Sequence, residues 1–218
     1  MNSRRRGPVH AAFDSGAYRD MVALARHTTW LNGAANRWSD YGLLLFVVPV
    51  VAGLRRNGWR ALWVAGAMVA AFALSALTKL AFAEQRPCRT LPSVGHIVAL
   101  CPPLGDYAFP SNHAVLAGAG AMAVWALDRR LGAVAAVNAV VIAAARVYVG
   151  VHYPHDVVAG LLFGALVAGG GTWAGSRLGP PVLRRVRGRR GSDGERPDAE
   201  LPTIAVVLLG KYNRRNER

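Results

Sequence analysis

Lysine is almost missing from this chain: Lys79 and Lys211 are the only two among 26 basic residues. Where arginine is the rule, a lysine at the end of an apolar run is unlikely to be incidental. Acidic residues are also scarce, 12 in 218, and none falls in the longest apolar stretches. Residues 62–82 carry no charge before Lys79, residues 131–149 carry only Arg146, and residues 157–172 carry none. Too little polar sequence is left to cover such helices in water, which argues against an ordinary soluble domain. At ~1.5 Å per residue, runs near twenty apolar residues fit the ~30 Å of bilayer hydrocarbon. Cysteine is nearly absent too. Cys88 and Cys101 are either free thiols or, if their loop faces an oxidising exterior, a disulfide. No cleavable signal peptide is evident, because no compact apolar core follows the basic start before Arg19 and Arg26.

What remains is apolar and basic: 53% of residues are hydrophobic and the net charge is +14. Much of that charge sits in Arg4–Arg6 and the run 184–190. On a membrane protein such ends set topology and meet anionic lipid headgroups, and we read them so rather than as nucleic-acid contacts. The expected fold is an all-α integral membrane protein with about five spanning helices. Residues 1–10 read as a basic disordered tail, and 11–37 as an amphipathic segment lying on the membrane. Residues 38–176 read as the transmembrane domain, with helices near 38–54, 59–82, 111–127, 131–149 and 156–176. Residues 177–218 read as a basic, disordered cytoplasmic tail, with a short apolar segment at 201–209. An odd number of spans puts Arg55, Arg56, Arg60, Arg129, Arg130 and the C-terminal tail on one side. The positive-inside tendency makes that side cytoplasmic. The loop 83–110 and the turn 150–155 then face outward. The arginines before residue 38 oppose this assignment.

Three polar clusters interrupt the apolar sequence, all at the outward ends of helices. The first is Lys79, six residues, then Arg86-Pro87; the second is Pro110-Ser111-Asn112-His113; the third is Arg146, His152 and Asp156. Charged groups at the edge of hydrocarbon are costly and point to function. His152 and Asp156 are four apart, so on one helical turn they meet. A carboxylate on one imidazole nitrogen fixes the tautomer and leaves the other nitrogen as a nucleophile. His155 is out of that register and reads as a surface or headgroup contact. Ser111 and the backbone that follows it would open a helix, whose free N–H groups make an anion site, with His113 placed to donate a proton. Lys79 and Arg86 lie two turns apart if the helix continues, both facing one pocket, and suit phosphate as a point charge and a bidentate fork. Each has an ordinary alternative: a satisfied interfacial histidine, a plain Ser cap, a snorkelling cation.

Taken together the clusters resemble the type 2 phosphatidic acid phosphatase superfamily, which also holds glucose-6-phosphatase and vanadium haloperoxidases. Its pattern is Lys, six residues, Arg-Pro; then Pro-Ser-Gly-His; then Ser-Arg, five residues, His, three residues, Asp. The order and spacing match over residues 60–175, with Asn112 in place of Gly and Ala145 in place of Ser. The resemblance implies that Lys79, Arg86, Arg146, Ser111 and the Asn112 backbone bind phosphate. It implies that His152 attacks phosphorus, Asp156 orients it, and His113 serves as acid and then base. It implies no cofactor and no metal. Having a non-Gly residue before the His, together with few helices, is similar to bacterial undecaprenyl-diphosphate phosphatases. The implied substrate is therefore a polyprenyl diphosphate in a bacterial plasma membrane, with the site outside. Phosphatidic acid, phosphatidylglycerol phosphate and a prenyl-phosphoryl sugar phosphate are the alternatives. The Arg-rich, Ala/Gly-rich composition fits a GC-rich bacterial genome. Three other classes share parts of the pattern: a soluble vanadate haloperoxidase, a zinc enzyme using His113, His152, His155 and Asp156, and a lipid-binding protein without catalysis.

Overall fold

A computed structural model describes residues 9–91 and 97–192. Arg4–Arg6 and the segment 201–209 lie outside the described residues. The helices are α1 (Val9–His27), α2 (Thr29–Tyr41), α3 (Leu44–Phe82), α4 (Pro87–Thr90), α5 (Asn112–Leu127), α6 (Arg129–Tyr148) and α7 (Pro154–Ser192). No strand occurs among the described residues. The chain divides after Arg177 into two units. The clusters all fall in the first. Of the second, only the end of α7 is described; the chain is helical there as far as Ser192, well into the stretch expected to be a disordered tail.

Four segments are long and apolar enough to cross a membrane: Thr29–Arg55, Gly58–Thr90, Arg129–Tyr148 and Pro154–Leu178. The 16-residue α5 is apolar but shorter. The helix α3 is not one straight rod. Val50 and Val64 share a buried cluster with Ala123, and a Cβ on Gly53 would lie 3.6 Å from that of Ala61. Eight residues of straight helix are about 12 Å long, so the chain reverses between these residues, at the expected boundary between two spans.

The first of these segments begins at Thr29, earlier than the expected residue 38. Its polar residues are paired rather than exposed to hydrocarbon. Tyr148 Oη donates to Asn32 Oδ1 at 2.8 Å, Trp38 Nε1 donates to Asn138 Oδ1 at 3.1 Å, and Asn138 Nδ2 donates to the Gly42 carbonyl at 3.0 Å. α2 thus runs antiparallel to α6, and pairing between helices hides what sequence alone reads as too polar to enter a membrane.

Packing inside the first unit is of small residues. Ala114, Ala117, Ala119 and Ala123 of α5 are fully buried, while Val69, Leu80, Val134, Val137, Leu162 and Leu166 point outward. Lipid gives large apolar side chains no reason to turn inward, so close backbone approach holds the helices together. A Cβ on Gly164 would collide with the Val115 carbonyl, and one on Gly118 with that of Leu161. These contacts lock α5 against α7. At their outward ends the Ser111 N–H donates to the Asp156 carbonyl at 3.1 Å, which joins the second cluster to the third.

Candidate active site

Each cluster occupies a helix end, and loops complete it. α3 stops at Phe82 because Ala83 takes a left-handed conformation, φ 46°. Arg86 therefore does not continue the helical face of Lys79, contrary to the expectation from sequence; the loop returns it. Lys79 Nζ donates to Asp106 Oδ1 at 3.1 Å and to the Tyr107 carbonyl at 2.5 Å. Arg86 donates from Nε to the Asp106 carbonyl at 2.8 Å and pairs through Nη2 with Asp106 Oδ2 at 2.9 Å. The two cations are thus held by one aspartate and its backbone. A disulfide between Cys88 and Cys101 closes the loop that carries Arg86, and Arg89 donates to the Pro102 carbonyl within it.

The turn after α6 presents His152. Gly150 takes φ 88°, and its carbonyl accepts from Tyr18 Oη of α1 at 3.0 Å. Burial drives the Tyr18 hydroxyl up to about 12, with Tyr153 adding to the effect, so Tyr18 keeps the proton it donates. His152 is buried. Its Nδ1 faces Asp156 Oδ2 at 3.3 Å, and Arg86 Nη1 lies 3.0 Å from its Nε2. Arginine only donates, so Nε2 carries the lone pair and the proton sits on Nδ1. Burial first, then Arg86, Arg146 and Lys79, hold the imidazole well below the ordinary histidine value. It is therefore neutral. Asp156 is fully buried, and its Oδ2 also accepts the Tyr153 N–H at 2.8 Å.

Arg146 reaches from α6 to the same place. Its Nη1 donates to Ser39 Oγ and Asp40 Oδ1, both at 3.2 Å, and Asp40 Oδ1 also lies 3.2 Å from His113 Nε2. Two buried donors at the site have no partner: Arg146 Nε and the Ser111 hydroxyl, which makes no capping bond. Asn112 Oδ1 turns away to accept from Ser75 Oγ at 3.4 Å.

All eight residues singled out from the sequence lie where these helix ends and loops meet. His155 does not lie on the surface as expected. It is wedged behind Asp156: Nδ1 is 2.7 Å from Asp14 Oδ2, Nε2 is 3.1 Å from Glu84 Oε1 and 3.3 Å from Asp156 Oδ1, and the ring stacks on Tyr153 and Phe109. Glu84, His155 and Asp156 bring possible metal-ligand atoms within 4.8 Å of one another. Yet both imidazole nitrogens already face carboxylates, which is how an imidazolium is held. Asp14, Asp40, Glu84 and Asp106 were missed from sequence. Each is an isolated acid in a mixed segment, with no periodicity to mark it.

Comparison with known proteins gives the same answer as the geometry. The PAP2 superfamily pattern matches residues 60–179. The chain belongs to that superfamily. An undecaprenyl-diphosphatase of Sulfolobus acidocaldarius is 32% identical over 142 residues, covering 63% of this chain and 68% of that protein. The bacitracin transport permease protein BcrC of Bacillus licheniformis is 28% identical over 166 residues, covering 74% and 80%. The crystal structure of a transmembrane PAP2-type phosphatidylglycerolphosphate phosphatase from Bacillus subtilis shares the fold. Its TM-score is 0.58 at 20% identity, covering 78% of this chain and 89% of that one. The protein is a multi-pass membrane phosphatase of the PAP2 superfamily.

Proposed function

We propose that this phosphatase removes the terminal phosphate of a membrane-held polyprenyl diphosphate through a phosphohistidine at His152. The observation that carries the proposal is the tautomer of His152. Nδ1 is committed to Asp156 and Nε2 faces Arg86, with the charges of Arg146 and Lys79 near enough to act on the ring. A buried, neutral imidazole beside three cations is what in-line attack on a phosphate dianion requires. The Ser111 hydroxyl and Arg146 Nε, buried and unpartnered, are donors available to its oxygens, together with the first N–H groups of α5.

In the first step His152 Nε2 attacks phosphorus and the bond to the leaving lipid phosphate oxygen breaks, with His113 supplying a proton to that oxygen. In the second step His113 takes a proton from water, which attacks the phosphohistidine, releases inorganic phosphate and restores His152. The three cations carry the charge stabilisation, and the scheme uses no metal.

The choice of a polyprenyl diphosphate rests on the likeness to the relative named undecaprenyl-diphosphatase. The Cys88–Cys101 bond supports an oxidising, extracytoplasmic side for the site, as does the arginine excess at the opposite helix ends. We place the protein in a bacterial plasma membrane. The test is phosphate release by detergent-purified protein in EDTA from undecaprenyl diphosphate, phosphatidic acid and phosphatidylglycerol phosphate, beside His152→Ala. Release fastest from the isoprenoid and lost in the variant is the expected result. Equal release by the variant overturns the mechanism, and a glycerolipid preference overturns the substrate.

A further inference from the structure

Asp40 stands apart from the other acids at the site. It comes from α2, outside residues 60–179 that match the superfamily. A single oxygen, Oδ1, bridges Arg146 Nη1 and His113 Nε2, each at 3.2 Å. These are two groups that the proposed function assigns to the substrate: a phosphate-binding arginine and the acid for the leaving oxygen. Its side chain is 48% exposed, against 10% for Arg146. Beyond this bridge the side chain's one polar contact among the described residues is the Ser39 hydroxyl at 3.5 Å.

Asp106 is different. Its carboxylate pairs with Lys79 and Arg86, but those cations are also fixed by the carbonyls of Asp106 and Tyr107. Asp106 is therefore built into the wall of the pocket. Among the described residues no backbone carbonyl fixes Arg146 in this way; its hydrogen-bond partners there are the side chains of Ser39 and Asp40, and its buried Nε has none.

We infer that Asp40 is an internal counter-ion that stands on Arg146 and His113 where a substrate oxygen would bind, and that it is displaced when phosphate binds. Its carboxylate competes with the anion for Arg146 and His113. It weakens the hold on inorganic phosphate, the last product, and sets how much negative charge a ligand must bring to enter. This rests on the proposed function only in taking Arg146 and His113 as phosphate-side groups. An orienting partner of His113 would make the same two contacts but would have to stay in place during turnover, and the two roles predict opposite signs.

The test is direct binding of inorganic phosphate and of vanadate to detergent-purified protein by calorimetry, comparing wild type with Asp40→Asn and Asp40→Ala, with kcat and KM measured beside it. Removing a competing like charge should tighten both anions about tenfold or more in both variants, with KM falling alongside. Unchanged or weaker binding in folded variants overturns the inference. If wild type binds neither anion, the phosphate site itself is wrong. If wild type binds them and the variants do not bind more tightly, only the counter-ion role falls. Gel filtration and thermal unfolding of both variants confirm that folded protein is compared.

Discussion

Arg86 Nη1 approaches His152 Nε2 to 3.0 Å, on the side of the ring opposite Asp156. A guanidinium cannot accept a proton, so this one contact dictates which nitrogen is bare. The same arginine also donates to the Val151 carbonyl at 3.0 Å, which pins the backbone just before the histidine. The proposed nucleophile is thus held from both ends, by a cation in front and a carboxylate behind.

Asp156→Asn should keep the shape and lose the chemistry. The amide oxygen can still accept from the Tyr153 N–H and from Nδ1, but the negative charge that steadies the ring as it becomes positive on attack is gone. We expect kcat to fall about 10³–10⁴-fold, as when a triad carboxylate is changed to its amide, with phosphate affinity nearly unchanged. Steady-state kinetics with calorimetric phosphate binding separates the two readouts.

Acid should destabilise the folded protein through two groups. An unfolded histidine takes up a proton near pH 6.5, while burial and the neighbouring cations keep folded His152 neutral well below that. Between the two values the unfolded chain binds more protons, so stability falls as pH drops below about 6.5. Burial alone would push the Asp106 carboxyl up, but Arg86 and Lys79 outweigh it and hold it below the carboxylate range. The stability from Asp106 is therefore present above pH ~4 and lost below it. Thermal unfolding in detergent from pH 8 to about 2.5 should show both falls, and His152→Gln should remove the one near pH 6. An acid limb of kcat near pH 6.5 would not come from His152.

Ser111→Ala offers a cleaner test of the phosphate site than any change to a cation. The hydroxyl is buried and has no partner among the described residues, so its loss breaks no hydrogen bond there. Stability should stay level or rise by about 1 kcal/mol, because an unsatisfied buried polar group is removed. Turnover should drop about ten- to a hundredfold if the hydroxyl donates to a charged oxygen. Unfolding temperature and kcat/KM should therefore move in opposite directions.

Gly164→Ala should unseat the site from a distance. The added methyl meets the Val115 carbonyl in the closest approach of α5 to α7. These helices carry Ser111 and His113 on one side and Asp156 on the other. A destabilisation of about 1–3 kcal/mol is expected for overpacking without room to relax, and activity should fall with it. Gly16→Ala, where a Cβ meets nothing within 4 Å, is the control.

The residues proposed to do the chemistry were legible because their spacing is rigid. A lone lysine, a Ser before an apolar helix, and a His four from an Asp need no tertiary knowledge to stand out. The residues that tune them were not legible. Asp40 meets Arg146 across 106 positions and Asp14 meets His155 across 141, and no local pattern announces a contact of that range. His155 was misjudged for the same reason. Helical register set it apart from the pair His152–Asp156, and the acids that enclose it come from α1 and from the end of α3. The start of the first span was masked by polar residues such as Asn32, whose partner Tyr148 lies on α6.

The brevity of α5 has a consequence for where hydrolysis occurs. Its 16 residues give about 24 Å of helix, against ~30 Å of hydrocarbon. The charged corner Asp128-Arg129-Arg130 fixes one end at the water boundary. The other end, with Ser111 and His113, then lies several ångströms short of the opposite boundary. On the proposed function, a substrate need not be lifted from the leaflet to be cleaved: its phosphate would sink to meet the helix while its chain stays among its neighbours.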